Sequence, residues 1–572
     1  MRQHLSGLTA AKGLALGRAR IREAHVLEIE ERTLTPDEVE PEVARLLQAI
    51  TETRLELSNL REQLQGALAQ EIGEFLDIHA MLLDDPELVS GLTEQIRTGL
   101  FPASYALKLQ RDRLVAVFEA MDDPYLRSRR EDIDHVLGRV QAALQQGTGN
   151  MDVIGLAGDV LVTDAVAPAE LAQLIERGVV AVLMAQGSPL SHSAIMARSL
   201  GLPMLVASAE TLAKIPDGAA LMVDAGRGDI IVEPDPDDLL QLRFHQAEQA
   251  RERRALVRLR NQPTQTRDGV SVQLAANAEA REDITQAFRL GAAGVGLYRT
   301  ELLFLQRRTP PDEDEQLETY RDAVLGMNGR PVTFRIFDLG ADKADSAGIA
   351  LPREPNPALG LRGIRLALAR PALLRTQLRA MLQASAYGPV RILAPMITRR
   401  EEMVILRRQL QACARELRRE GHHLPETVQL GAMVEVPAAA IALPAMLGTV
   451  DFVSIGTNDL IQYLLAADRG NEALAEMFSP LYPAVIRTLH GIIQACNKVG
   501  KPVSICGEIA SDVRYTRLLL ALGLTEFSMH PSSLLAIRAL IRDSDQRHLR
   551  RHAGALLRAG RRATLERLVA TF

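Results

Sequence analysis

Tryptophan is absent from the 572 residues, and only 12 Phe and 8 Tyr accompany that absence. So thin an aromatic complement argues against the stacking platforms that hold single-stranded nucleic acids. The three cysteines, Cys413, Cys496 and Cys506, are too few for a disulfide framework or a four-cysteine zinc site, and they suit a reducing compartment. No apolar run approaches the roughly 18 residues of a membrane span, and the opening MRQHLSGLTAAKGLALG lacks a signal-peptide core. Positive charge is not in excess either: 66 Lys and Arg stand against 72 Asp and Glu, a net charge of −6. That balance excludes a binder driven by phosphate neutralisation. The expectation is a cytoplasmic chain with no membrane insertion and no nucleic-acid partner. What remains is an ordinary globular composition, 47% hydrophobic and 24% charged. At roughly 150 residues per domain, the length suggests three or four domains.

A Gly-punctuated strand segment, LSGLTAAKGLALGRARI, opens the chain. From Val43 apolar residues recur at Leu46, Ile50, Leu57, Leu60 and Leu64, with Thr53 filling the one gap. Alternating three- and four-residue spacing predicts an amphipathic helix. Helical patterns continue through EFLDIHAMLLDDPELVSGL and from Ser104 to about Gln146, so this block reads as an insertion of paired antiparallel helices. From Met151 the texture turns α/β. GDVLVTD, VVAVLMA, PMLVAS and ALMVDA read as short strands, LAQLIERG and HSAIMARSLG as helices between them, and DIIVEPDPDD closes the unit. A charged helical stretch from about Leu239 to Asn261 then leads to Pro263.

Beyond it, VSVQLAAN, AGVGLY, VTFRIFD, VRILAPMI, VQLGAMVE, DFVSIG, PVSIC and EFSM alternate with helical patterns. Eight such strands predict a (β/α)₈ barrel of the TIM type, with a doubly wound open sheet as the alternative. The positions of the polar residues favour the barrel. Arg299, Glu301, Asp338, Glu435, Asn458, Asp459 and Cys506 all fall at or just past a strand's C-terminal end, the face on which barrel enzymes build their sites.

His192, in GSPLSHSAIMARSLGLP, stands at the start of a short helix with Ser191 as N-cap, Gly201 at its end and Pro203 as the stop. Neutral imidazole is a competent nucleophile toward phosphorus, and a helix N-terminus stabilises the resulting dianion. A satisfied surface histidine would look the same. Arg299, Arg335, Arg362, Arg365, Arg469 and Lys343 lie near strand ends or in the loops that follow. Their guanidinium forks suit a small di- or trianionic substrate, although any single one could be a surface ion-pair partner. Glu435 and Asp459 follow successive strands and could jointly hold a hard cation, most simply Mg²⁺, or form a structural ion pair. Cys506 ends the seventh strand in polar company, where a thiol could act as a general acid rather than as inert packing. Cys413 and Cys496 lie in helical patterns and read as structural.

Taken in order, SHSAIMARSLGLP, GLYRTELLF, FDLGADK, NPALGLRGIR, MVEVPAAA, SIGTNDLIQYLLAADRGN and SICGEIASD resemble Enzyme I, the phosphoenolpyruvate-protein phosphotransferase family of the bacterial sugar phosphotransferase system. The resemblance spans essentially the whole chain. It implies a multidomain α/β protein: a swivelling phosphohistidine domain over residues 1–22 and 147–236, a helical insertion that docks the carrier HPr over 23–146, a linker helix over 237–262, and a barrel for phosphoenolpyruvate binding and homodimerisation over 263–572. It further implies that His192 carries the phosphoryl group. Arg299, Arg335, Asn458, Asp459 and Arg469 would bind phosphoenolpyruvate, with Lys343 and Arg362 beside them. Glu435 and Asp459 would ligate Mg²⁺, and Cys506 would protonate the enolpyruvate leaving group.

The chain departs from the family's pattern at Ser188, Leu190 and Ala167, which leaves the orientation of the His192 imidazole open but not its role, and at Asp134, which leaves the carrier open between HPr and its nitrogen-branch relative. Pyruvate phosphate dikinase and phosphoenolpyruvate synthase share the phosphohistidine and barrel modules. They also need an ATP-grasp domain, for which the helical residues before the α/β unit, with no Gly-rich loop, leave no room. A non-catalytic scaffold is the other alternative, and the retained His192, Cys506, carboxylates and arginines argue against it.

Overall fold

The computed structural model describes residues 2–22, 32–63, 79–119, 130–145, 157–166, 168–185, 191–305, 309–341, 348–349, 351–352, 354–469, 471, 474 and 476–572. The chain divides into two compact units, Met1–Ala250 and Arg251–Phe572.

The first unit is built on an eight-stranded mixed sheet. Its strands are β1 (Gln3–Ser6), β2 (Leu8–Ala11), β3 (Leu14–Arg22), β4 (Asp159–Thr163), β5 (Ala181–Met184), β6 (Met204–Val206), β7 (Ala220–Asp224) and β8 (Asp229–Val232). Their spatial order is β1-β8-β7-β3-β4-β5-β6-β2. β3 through β6 run parallel, and β1, β2, β7 and β8 pair antiparallel. The opening segment thus forms three strands rather than one, and DIIV forms β8 instead of merely closing the unit.

β5 and β6 are apolar throughout, and β4 is apolar between Asp159 and Thr163, because both faces of these parallel strands are covered. Leu161, Val182, Met184, Met204 and Val206 turn to one core, which they share with the helical insertion. Val160, Val162, Ala181, Leu183 and Leu205 turn to the other. Burying each of these Val, Leu and Met side chains stabilises the fold by about 1.5–3 kcal/mol.

The insertion lies between β3 and β4 and includes the helices Val39–Gln63, Pro86–Gly99, Ala103–Glu119 and Arg130–Gln145. Val43, Leu46, Ile50, Thr53 and Leu57 are buried on one stripe, as the spacing predicts. Thr53 is tolerated there because its hydroxyl donates to the Ala49 carbonyl at 2.8 Å. Leu64 and the start of the EFLDIHAM segment lie outside the described residues, and the Leu60 side chain is likewise not described.

The charged helix runs Pro236–Arg258. Within the first unit Asp238 takes a bidentate ion pair from Arg2, at 2.7 and 2.8 Å. Within the second, the carbonyl of Leu259, just past the helix end, accepts from the Arg538 guanidinium at 2.9 Å.

The second unit is a closed, all-parallel barrel. Its strands are β9 (Gln273–Ala278), β10 (Val295–Tyr298), β11 (Val332–Arg335), β12 (Val390–Ala394), β13 (Gln429–Val434), β14 (Phe452–Ile455), β15 (Val503–Ile505) and β16 (Glu526–Met529). β16 returns to pair with β9 and completes the closure. Each strand expected from the sequence is present, and the open-sheet alternative is excluded. Closure leaves no sheet edge, and it brings the C-terminal ends of distant strands around a single rim. Among the described residues no helix is long and apolar enough to cross a membrane.

Candidate active site

His192 is the first residue of the helix His192–Leu200. Ser191 caps it, its hydroxyl accepting from the Ala194 N–H at 3.3 Å, and Gly201 ends it in the left-handed conformation at φ 68°. The first turn is tied to the loop after β4, because the buried Ser193 hydroxyl donates to the Val166 carbonyl at 2.6 Å. The backbone at position 192 therefore stands where free N–H groups and the helix dipole favour an anion. Ser188, Leu190 and Ala167 lie outside the described residues.

At the C-terminal rim of the barrel, buried charges form one network. Arg335, the last residue of β11, pairs with Glu301 at 3.0 Å and approaches Asp338 at 3.7 Å. Arg362 grips Asp338 with both fork nitrogens, at 3.1 and 2.7 Å, and lies 3.8 Å from Asp459. Tyr463 accepts from Arg362 at 3.5 Å and donates to the Ala358 carbonyl at 2.5 Å. Glu435, just past β13, is 1% exposed and takes the Met396 N–H at 2.6 Å. Gly456 is required at the end of β14, since a Cβ there would stand 2.5 Å from the Glu435 carboxylate.

Two guanidinia thus face four carboxylates, those of Glu301, Asp338, Glu435 and Asp459. Burial works against the charges of Arg335 and Arg362. The acidic neighbours outweigh it and hold both above the usual arginine range. Glu435 moves the opposite way from a paired carboxylate: burial, then Asp459 and Asp338, push it well up despite Arg335. Arg335 Nε is buried and has no hydrogen-bond partner among the described residues, as is the Thr457 hydroxyl. An orphaned buried donor costs about 1–3 kcal/mol, a deficit that a bound oxyanion would remove. The excess of hard-oxygen charge around Glu435 and Asp459 fits a divalent cation with water or substrate completing its shell. Among the described residues no group of three or more His, Cys, Asp or Glu could hold an ion unaided.

Cys506 follows β15 and is 3% exposed. The Ser454 hydroxyl donates to its sulfur at 3.2 Å, and the thiol faces the Ile455 carbonyl at 3.5 Å. The Asn277 amide holds the Cys506 carbonyl at 3.0 Å. Burial pushes the thiol up to about 11, so it carries its proton at neutral pH. Gly507 lets the chain pass Thr457, whose hydroxyl would lie 1.8 Å from any Cβ there.

Comparison with known proteins agrees with this architecture. PEP-utilising enzymes match the chain in three parts: the N-terminal domain over residues 6–129, the mobile domain over 155–228 and the PEP-binding domain over 253–546. The phosphoenolpyruvate-protein phosphotransferase of Cupriavidus necator is 40% identical over 545 residues, which cover 93% of each chain. The chain belongs to the phosphoenolpyruvate-protein phosphotransferases. The Geobacillus stearothermophilus member is 39% identical over 542 residues, 94% of this chain and 93% of its own. An Enzyme I protein solved by NMR is 27% identical and covers 43% of this chain and 99% of its own, with a TM-score of 0.37; a score that low carries no argument about the fold.

Within this phosphotransferase, His192 falls in the mobile-domain match, and Arg299 through Cys506 fall in the PEP-binding match. The barrel brings Arg335, Arg362, Glu435 and Asp459 into one network. Arg299 stands on the rim, paired with Glu279. Asn458 exchanges hydrogen bonds with Glu508, its amide donating at 3.0 Å and its carbonyl accepting from the Glu508 N–H at 3.1 Å. Arg469 is exposed and has no ion-pair partner among the described residues. Arg365 reaches Thr398 and loop carbonyls instead of the carboxylates. Lys343 lies outside the described residues. Cys413 and Cys496 are buried as packing residues.

Sequence reasoning noted Glu301 and Asp338 at strand ends without giving them a role, and it passed over Asn277, Ser454 and Tyr463. Asn277 and Ser454 carried a usable signal, since each is polar inside an otherwise apolar strand. Tyr463 carried none.

Proposed function

We propose that the chain takes the phosphoryl group of phosphoenolpyruvate onto His192 and passes it to a histidine of an HPr-type phosphocarrier, releasing pyruvate as the first step of phosphotransferase-system sugar uptake. The observation that carries this reading is the charged rim of the barrel, which lies inside the region matching a PEP-binding domain. Arg335 and Arg362 are forks already held by carboxylates, so they meet a trianionic substrate without reorganising. Arg299, Arg469, Asn458 and Lys343 would complete its binding from the loops.

The family is generally metal-dependent, and Glu435 and Asp459 would hold Mg²⁺. Bound there, the cation would neutralise charge building on the phosphoryl oxygens. Imidazole at His192 attacks phosphorus, and the capped helix N-terminus stabilises the charge it acquires. Cys506 then gives its proton to the enolate carbon. His192 and the charged rim belong to different compact units, so the two must meet for one step and part for the next. The helical insertion would dock the carrier, and the barrel would form the homodimer, a role supported by exposed Leu359, Ile441 and Met477. A cytoplasmic setting suits the free thiols. Incubation with phosphoenolpyruvate, with and without EDTA, followed by intact mass, tests the whole reading. One added phosphoryl group is expected only where metal is available.

Glu435→Gln keeps an acceptor for the Met396 N–H but removes the ionisable carboxyl that would ligate the metal. Turnover should fall by about two orders of magnitude or more, with a weaker Mg²⁺ midpoint. The metal-free variant should be no less stable than the parent. Because the folded Glu435 carboxyl binds its proton more tightly than the unfolded one, the parent loses stability as pH rises from the ordinary carboxylate range toward the raised value. The variant should lose that slope. An unchanged Mg²⁺ midpoint refutes the assignment.

Cys506→Ser substitutes a far weaker acid, and pyruvate formation should drop by roughly 10²–10⁴-fold while phosphoenolpyruvate still binds. In the parent, thiol ionisation should cause no loss of rate at neutral pH, since the group deprotonates only near 11. Unaltered pyruvate release by the variant would point to another acid.

A further inference from the structure

TIM-type barrels usually fill their interior with bulky branched side chains, yet here three adjacent strands present polar residues to it. Ser454 on β14, Ser504 on β15 and Glu526 on β16 occupy paired register positions, Ser454 beside Ser504 and Ser504 beside Glu526. The first two are linked in one direction. The Ser504 hydroxyl donates to Ser454 at 3.3 Å, and the buried Ser454 hydroxyl donates to the Cys506 sulfur at 3.2 Å. Ser504 also lines a cavity of about 110 Å³ at the N-terminal end of the barrel, with Gln273, Thr333, Arg391, Glu526 and Ser528. A water needs about 10–15 Å³ of such space, so the cavity has room for several among polar partners. Gln273 and Ala293 on its lining are exposed.

We infer that this column is the route by which Cys506 regains its proton after each turnover, running from the opposite pole of the barrel through Ser504 and Ser454. The inference rests on the reading of Cys506 as the acid. When the S–H bond breaks and its proton forms the methyl C–H bond of pyruvate, the sulfur keeps the bonding pair as a thiolate. The Ser454 proton passes to the sulfur, the Ser504 proton to Ser454, and a cavity water's proton to Ser504. The shifts are concerted, so no alkoxide accumulates. The Glu526 carboxyl replaces the water's proton and is itself reprotonated by solvent, so one solvent proton enters per pyruvate.

Two features support this direction. Cys506 is buried beneath the rim where substrate would sit, so resupply from below stays open while the rim is occupied. Burial pushes the Glu526 carboxyl up, against the opposing effect of Arg391, which favours a proton held at the entry. Ser528 belongs to the frame rather than the route: its hydroxyl donates to the Asn277 carbonyl at 2.6 Å, and Asn277 fixes the Cys506 backbone.

The test uses the full chain with Ser504→Ala and Ser504→Thr, the threonine methyl having the cavity to enter. Rapid-quench assays with phosphoenolpyruvate, Mg²⁺ and excess purified HPr-type carrier separate the first pyruvate from later ones. Ser504→Ala should form its first equivalent at the parental rate, then turn over at least about tenfold more slowly. Ser504→Thr should turn over like the parent. Parental steady-state turnover in Ser504→Ala, an equal loss in both variants, or a slowed first equivalent would each overturn the relay. Cys506→Ala run alongside keeps the two readings apart. If it makes pyruvate normally, the acid assignment fails; if it is inactive while Ser504→Ala is unimpaired, only the relay fails.

Discussion

His192→Ala should leave a folded protein that never acquires a phosphoryl group from phosphoenolpyruvate. The expected loss is complete, because no other nucleophile stands at a capped helix N-terminus in the matched motif, and a covalent intermediate cannot form without its acceptor. The fold should survive. Among the described residues, the ties that hold this helix include the Ser191 cap, the Ser193 bond to Val166, the Arg198 bond to the Ala10 carbonyl and the Gly201 terminus, none of which uses the imidazole. Intact mass after incubation with phosphoenolpyruvate and Mg²⁺ reads the result, with circular dichroism as the control for folding. A stable phosphoryl adduct on the variant would place the nucleophile elsewhere.

Arg335→Met should cost both activity and stability, and by more than any other rim substitution. The guanidinium is the shared counter-charge of Glu301, Asp338 and Glu435. Removing one partner of a buried charge network while leaving the others typically costs about 3–5 kcal/mol. Turnover should fall by roughly 10²–10³-fold, the usual effect of deleting a fixed electrostatic contact to a transition state. The stability deficit should narrow as pH falls, because protonating the stranded carboxylates relieves their repulsion. Arg335→Lys should recover part of the stability but little of the activity, since an ammonium cannot reproduce the fork. Thermal melts across pH, paired with phosphoenolpyruvate titrations, separate the two effects. A deficit independent of pH would show that the residue acts by packing alone.

The barrel was legible because its signals are local. Each strand reads as a short apolar run, and each polar residue at its end stands out against that run. The same locality hid the first sheet's antiparallel half. Gln3 pairs with Val232 and Leu8 with Val206, and four-residue strands joined across two hundred residues leave no periodicity to count. Glu435 and Asp459 could be picked as a pair, but Asp338 could not be seen as the residue that grips Arg362, since loop conformation decides which fork it meets.

From the sequence alone came the order of elements, the helical stripe from Val43 to Leu57, the cap at Ser191 and the barrel's polar rim, all set by neighbours within a few positions. Only the closed barrel decided that Arg335, Arg362 and four carboxylates share one buried network. Closure alone also set Ser504, Ser454 and Cys506 in a hydrogen-bonded column. The reason is physical: hydrogen-bond direction and uncompensated charge depend on distances between strands, and those distances exist only once β16 has come back to β9.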